Sequence, residues 1–310
     1  MIPQAAARAI GRPLAAARRV AGGDINDAWL VEFDDGTRAF VKSRPGATAG
    51  EYATEAAGVR WLGAVENGLP VPAVLAVADA SAGGSCAAGS SDAGSSDADA
   101  PRFLALAWIE EGRLDAGGEE QLGRGLAHVH AAGAPAFGAP PPGAPLGGLR
   151  LGAVELRAAT SADWPAFYAE HRLAPLLRAA VDRGALPSGG AGAIEAAIER
   201  LPELAGPAEP PARLHGDLWG GNVLASADGR PYLIDPAAYG GHREVDLAML
   251  RLFGAPSPRT LAAYEEVSPL AAGHERRVPL WQLFPLLVHA VLFGGSYGAS
   301  AVRAARQAAP

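Results

Sequence analysis

The stretch His215-Gly216-Asp217-Leu218-Trp219-Gly220-Gly221-Asn222, with Tyr232-Leu233-Ile234-Asp235 a short way beyond it, governs the reading of the whole chain. Transfer of a phosphoryl group asks a protein for positioning and charge rather than for covalent chemistry. The parts needed are an Asp that orients and deprotonates the attacking hydroxyl, an Asn soon after it as a magnesium ligand, and a second Asp at the end of a hairpin, where it bridges metal and phosphates. Here those places fall to Asp217, Asn222 and Asp235. The residues between them predict the hairpin itself, with Val223-Leu224 and Tyr232-Leu233-Ile234 as strands and Asp228-Gly229 as the turn. His-Gly-Asp followed by Asn is a common coincidence when it stands alone. Asp235 at hairpin distance gives it weight.

Working outward, Trp29, Val31 and Phe33, then Asp34-Asp35-Gly36, then Phe40 and Lys42 spell a second hairpin with a tight turn. Lys42 ends its second strand, where a kinase places the lysine that grips the α- and β-phosphates of ATP. Tyr52, Glu55, Val59 and Leu62 recur at helical spacing, so a helix over 52–64 carries Glu55 within reach of that lysine. Either charge alone is more often a solvated surface group; the pair in this order favours function. The turn Gly22-Gly23-Asp24-Ile25-Asn26 precedes the hairpin, and the missing Cβ of Gly22 and Gly23 would let its backbone approach the phosphates. A strand from Phe103 to Ile109 leads into a hinge at 108–112, where the carbonyl of Ala107 and the amide of Ile109 would meet adenine. His128, His130 and His289 read as structural.

Strands crowd the first third of the chain and helices the rest, which is an α+β arrangement: a small antiparallel sheet lobe over residues 1–107 and a larger helical lobe over 108–310. Residues 1–19, rich in Ala and Arg, predict an N-terminal helix. Further helices are predicted over 119–132, 164–182, 193–204, 245–253, 260–267 and 280–293. Residues 80–100 hold almost nothing but Ala, Gly, Ser and Asp, too little apolar bulk to offset the entropy of ordering, and predict a disordered loop.

Composition bounds the function. With 26 Lys and Arg against 33 Asp and Glu, a net charge of -7 argues against a general nucleic-acid binder. The single cysteine, Cys86, leaves no disulfide framework and points to a reducing compartment, hence the cytoplasm. The most apolar stretch, 280–293, is short for a membrane span and is interrupted by Gln282, Pro285 and His289.

These motifs together resemble the fructosamine kinase (ketosamine 3-kinase) family, within the wider group of aminoglycoside and choline kinases that share the protein-kinase-like fold. The resemblance rests on GGDINDA at 22–28, Phe40 to Lys42, Glu55 to Leu62, LHGDLWGGN at 214–222, DPAAYGGHREVDLAM at 235–249 and LFGGSY at 292–297. The Gly-His-Arg-Glu sequence soon after Asp235 separates this family from other sugar and aminoglycoside kinases. The resemblance implies an ATP- and Mg2+-dependent kinase acting on the 3-hydroxyl of ketosamines, free or protein-bound, in a deglycation or metabolite-repair role. It also implies that Trp219, His242 and Glu244 face the acceptor, with Trp219 as an aromatic wall and Glu244 as the carboxylate for a cationic amine, and that Asp246 anchors the catalytic loop; for Arg243 and Glu244 a structural ion pair is an equal alternative. Asp24 stands where some relatives carry a cysteine used for redox dimerisation, so that mechanism is not expected here; the oligomeric state is not readable from the sequence, with a monomer favoured. Ala107, Gly220 and Gly240 depart from residues frequent in the family and bear on the shape of the pocket rather than on the chemistry. An aminoglycoside or other hydroxyl phosphotransferase would share every catalytic residue, and a silent nucleotide-binding scaffold would have no need of the full set.

Overall fold

A computed structural model describes residues 1–20, 26–79, 101–145, 147, 149–254 and 256–310. The glycine turn with Gly22, Gly23 and Asp24, and the expected loop over 80–100, lie outside the described residues.

The chain opens with helix α1 (Ile2–Ile10), and here the expected helix over 1–19 is corrected. Gly11 adopts φ 76° and its amide caps the carbonyls of Ala7 and Arg8. Pro13 then lacks the amide needed to continue, and the chain enters strand β1 (Leu14–Val20). Ala and Arg favour helix, but the open edge of β2 (Asp27–Phe33) offers a full antiparallel ladder, and tertiary pairing overrides a propensity worth only tenths of a kcal/mol per residue. β2 turns into β3 (Arg38–Ser43) through Gly36 at φ 78°, with the Asp35 carboxylate accepting from the Thr37 amide at 2.9 Å. Helix α2 (Glu51–Gly63) follows, then β4 (Val74–Ala78) and β5 (Phe103–Ala107). The five strands form one antiparallel sheet in the order β1-β2-β3-β5-β4.

Alternation along the strands gives this sheet two buried faces. Val31, Phe33, Ala39, Val41, Phe103 and Ala105 pack under α1, while Leu104 and Leu106 pack with Tyr52 and Ala56 of α2. Lys42, one residue past Val41, falls on the α2 face, which is why it meets that helix.

The sheet ends at Ala107, two residues before the expected end at Ile109. The crossing segment is tied to the catalytic hairpin: the Gly112 amide donates to the Ala225 carbonyl at 2.8 Å and the Ala227 amide to the Glu110 carbonyl at 2.7 Å. Any Cβ at position 112 would collide with the carbonyl of Ser226, so the close approach requires glycine.

Beyond it come α3 (Ala116–Ala131), capped by the Asp115 side chain, and a small ribbon of β6 (Arg150–Leu151) and β7 (Val154–Glu155). The helix expected over 164–182 is a composite of α4 (Trp164–Tyr168), a π-helical turn (Ala169–Leu173) and α5 (Ala174–Asp182). Pro175 has no amide for the carbonyl of His171, and the Arg172 guanidinium takes that carbonyl instead at 3.0 Å. Likewise the helix expected over 193–204 is split into α6 (Gly190–Glu199) and α7 (Leu201–Leu204) around Arg200, ahead of Pro202.

The chain then forms β8 (Ala212–Leu214), the hairpin of β9 (Val223–Ala225) and β10 (Pro231–Leu233), and β11 (Tyr239–Gly241), which pairs with β8. Helices α8 (Glu244–Leu250), α9 (Pro258–Val267), α10 (His274–Phe293) and α11 (Ser296–Ala308) complete the lobe. α10 runs through its centre with Trp281, Leu283, Phe284, Leu287 and Val288 fully buried, and it holds two prolines. Pro285 cannot donate to the Trp281 carbonyl, and the hydroxyl of Tyr168 donates to it at 3.0 Å while accepting from the Phe284 amide at 3.3 Å. A buried tyrosine thus lets an apolar helix carry a proline without an orphaned carbonyl. Among the described residues, no helix is long and apolar enough to cross a membrane.

Candidate active site

The loop between β8 and the β9–β10 hairpin is held from beneath by one carboxylate. Asp246, fully buried at the start of α8, accepts from the His215 amide at 2.7 Å and the Gly216 amide at 3.0 Å, and lies 3.2 Å from His130 Nε2. His130 in turn meets the Tyr264 hydroxyl at 2.8 Å, so α3, α8 and α9 all bear on the loop. Gly216 sits at φ 81° with no room for a Cβ beside the Ala237 carbonyl, which fixes glycine between His215 and Asp217. His215 donates from Nε2 to the Ile234 carbonyl at 2.9 Å and accepts at Nδ1 from the Asp217 amide at 3.3 Å. This is the pattern of a neutral imidazole, in keeping with burial lowering its pKa against the pull of Asp246.

This framework aims Asp217 into a cleft of about 230 Å3 whose wall also includes Lys42, Glu55, Asn222 and Asp235. Burial pushes the Asp217 carboxyl up to about 8, against the amide of Asn222, which donates to its Oδ2 at 3.1 Å and to its backbone carbonyl at 2.8 Å. A carboxylate with raised proton affinity is a stronger base. With its amide nitrogen engaged, Asn222 presents its carbonyl oxygen as the remaining donor atom.

Across the cleft Lys42 bridges two carboxylates, Glu55 at 2.7 Å and Asp235 at 2.9 Å. Burial alone would favour the neutral amine, but Asp235 and Glu55 hold Lys42 protonated and raise its pKa above the ordinary lysine range. Burial also pushes Glu55 up, to about 7, with Lys42 opposing. Asp235 sits in the left-handed region at φ 53°, a conformation uncommon for any residue but glycine and one that costs of order 1 kcal/mol or more. Asp217, Asn222 and Asp235 offer only hard oxygen atoms, the donor type that magnesium takes.

The other sequence candidates separate. Trp219 lines the cleft and is 40% exposed. Ala107 closes β5 and Ile109 follows in the crossing; neither lines the cavity around Lys42 and Asp217. For His242 and Glu244 the expectation of an acceptor-facing position is corrected. Both are buried, at 3% and 4% exposure, and neither lines the cleft. Glu244 is gripped by Arg277 at 2.6 and 2.8 Å and accepts from Trp281 Nε1 at 2.8 Å. His242 stacks on Trp281 at a centroid distance of 5.3 Å and leans on Trp164. The ligands of Glu244 come from α10, and nothing near 244 in the chain announces Arg277. Arg243 pairs in a fork with Glu209 and also donates to Ser268.

Some cleft residues were given no role in the site from sequence. Glu51 starts α2, Arg150 comes from the β6–β7 ribbon, and His289, Leu292 and Phe293 come from the last turns of α10. His289, read as structural from sequence, stands in the wall of the cleft.

Comparison with known proteins agrees with this geometry. The family model for fructosamine kinase matches residues 2–309. A "Probable ketoamine kinase" of Enterococcus faecium is 30% identical over 280 residues, covering 90% of each chain. A candidate fructosamine-3-kinase structure from Thermobifida fusca superposes with a TM-score of 0.85 at 41% identity, over 99% of this chain and 98% of that one. A choline kinase of Streptococcus pneumoniae, at 18% identity and a TM-score of 0.58 over 96% of this chain and 94% of its own, shares the protein-kinase-like fold. A match running from residue 2 to residue 309, with relatives covered almost end to end, places the chain in the fructosamine kinase family: it is a kinase, an enzyme of the phosphotransferase class.

Proposed function

We propose that the enzyme moves the γ-phosphoryl group of ATP onto the 3-hydroxyl of a ketosamine, a sugar joined through a ketose carbon to an amine, in a deglycation or metabolite-repair role. The observation that carries this reading is the convergence of Lys42, Glu55, Asp217, Asn222 and Asp235 on one cleft in a chain of this family. Lys42, kept cationic between two carboxylates, is suited to the α- and β-phosphates, and Glu55 holds its ammonium in place. Asn222 and Asp235 would hold magnesium, which when bound neutralises charge on the β- and γ-phosphates. Asp217 accepts the proton of the acceptor hydroxyl as its oxygen bonds to the γ-phosphorus, while the bond to the bridging oxygen breaks and ADP departs with that electron pair. The backbone of Ala107 and Ile109 is the proposed adenine contact, and Gly22 with Gly23 the proposed phosphate cover.

Acceptor recognition rests on Trp219, since Glu244 is committed to Arg277. A secondary amine that is cationic near neutral pH suits an aromatic face. The test is ATP consumption with a fructosamine or ribulosamine of lysine, the matching free sugar and kanamycin. Efficiency highest on the ketosamine is the expected result; preference for kanamycin, or equal rates on the free sugar, would defeat the substrate while leaving the kinase chemistry standing.

A further inference from the structure

Among the described residues, large hydrophobic side chains that reach solvent are few, and three of them, Trp219, Phe253 and Phe293, stand together at 40, 45 and 53% exposure. They belong to one continuous aromatic run. Trp219 meets Phe253 edge-on at 5.9 Å, Phe253 meets His289 at 5.5 Å, and His289 meets Tyr297 at 4.9 Å and Phe293 at 5.7 Å. The fold takes trouble to build it. A Cβ at Gly221 would collide with the indole of Trp219, so glycine there lets the ring fold back. Gly294 and Gly295, at φ 64° and 61° with ψ near -135°, make a corner open essentially to glycine alone, and it sets Tyr297 beside Phe293. His289 donates from Nδ1 to the Pro285 carbonyl at 2.7 Å, and burial lowers its pKa, so the ring joins the run as a neutral aromatic.

The inner end of this run, Trp219, His289 and Phe293, lines the cleft with Asp217. The outer end, Phe253 and Tyr297, lies beyond it. With roughly half of each exposed ring uncovered, the patch approaches the few hundred Å2 at which apolar surface on a monomer is commonly functional. A sugar hydroxyl must reach Asp217, so the part of the acceptor that projects outward over the rings is the substituent on its amine.

We propose that Phe253 and Tyr297, joined to the cleft through Phe293, form an outer subsite for an apolar or aromatic amine substituent, so that the enzyme prefers ketosamines of hydrophobic amines to those of small or acidic ones. This rests on the ketosamine reading above and adds the class of amine. Continuity with the cleft is what selects this occupant over a second copy of the chain.

The experiment compares kinetics on fructosamines of methylamine, glycine and phenethylamine for the wild type, Phe253→Ser and Phe253→Tyr, with light scattering of each protein. The wild type should show KM about tenfold lower for the phenethylamine adduct than for the methylamine adduct. Phe253→Ser should lose most of that ratio through KM rather than kcat, and Phe253→Tyr, which keeps the ring, should restore it. A ratio near one in the wild type, or an unchanged ratio in a folded Phe253→Ser, overturns the subsite. So does a wild-type dimer that Phe253→Ser dissociates, since the patch would then be an interface. No turnover on any of the three adducts, with ATP consumed on another acceptor, would instead sink the ketosamine reading on which it rests.

Discussion

Two stretches flank Asp235, and both are dense in the residue types that catalysis draws on: His215 to Asn222 before it and His242 to Asp246 after it. The first opens Asp217, Trp219 and Asn222 into the cleft, while the second turns its two carboxylates inward, Glu244 onto Arg277 and Trp281, and Asp246 onto the amides of the first stretch. The difference teaches that a charged residue next to a catalytic one is as readily a part of the floor as a part of the site. Burial of a charge is tolerated only with full hydrogen bonding, and both stretches obey that rule by different means. Asp217 answers desolvation by a raised proton affinity, whereas Glu244 answers it by a guanidinium fork.

The comparison breaks most sharply at Asp217. Asp217→Asn should lower kcat by roughly 10²–10⁴, a barrier of about 3–5 kcal/mol, with the melting temperature no lower than wild type, because a desolvated buried carboxyl is replaced by a neutral amide. Steady-state kinetics beside calorimetry will check it, and turnover near wild type would remove Asp217 from the reaction. Next is Asp246→Ala, which touches both stretches at once. It leaves two buried amides and His130 without their acceptor, so stability should fall by about 3 kcal/mol and kcat should fall with it as the loop loosens.

Glu244→Gln is the converse of Asp217→Asn. Arg277 is left as a buried cation facing a neutral amide, and chemical denaturation should show a loss of about 3 kcal/mol while kcat per folded molecule stays near wild type. A large kcat loss in a well-folded protein would return Glu244 to the site. The smallest effect is one of pH. Burial would raise the Glu244 carboxyl, but the bonds from Arg277 and Trp281 more than offset it and hold its pKa below the ordinary 4.5. The unfolded chain therefore binds the proton more readily, and the contribution of this pair is fully present above about pH 4.5 and lost as pH falls through the depressed folded value. Melting temperatures from pH 6 down to pH 3 should fall more steeply in the wild type than in Glu244→Gln, and parallel slopes would contradict the pair.

Much of this molecule was written in short-range pattern. The β2–β3 and β9–β10 hairpins, the helix bearing Glu55 and the grouping of Asp217, Asn222 and Asp235 all follow from turn residues and spacing within a few tens of positions, because turn chemistry and side-chain periodicity are local. Asp246 as anchor of the loop also came from sequence, through the resemblance rather than through any pattern in the residues themselves.

What the tertiary structure alone decided depends on partners remote in the chain. Residues 14–20 carry a helical composition and became a strand because β2 had an edge to fill. Pro285 stands within a helix because Tyr168, far back in the chain, supplies the missing donor. Glu244 and His242 left the acceptor side because Arg277 and Trp281 rise from α10 to meet them, and Arg150, His289 and Phe293 entered the cleft because the β6–β7 ribbon and the last turns of α10 carry them there. A carboxylate in a sequence states that charge must be balanced; which group balances it, and on which side of the fold, is a matter of packing, since desolvation is felt only once the neighbours have arrived.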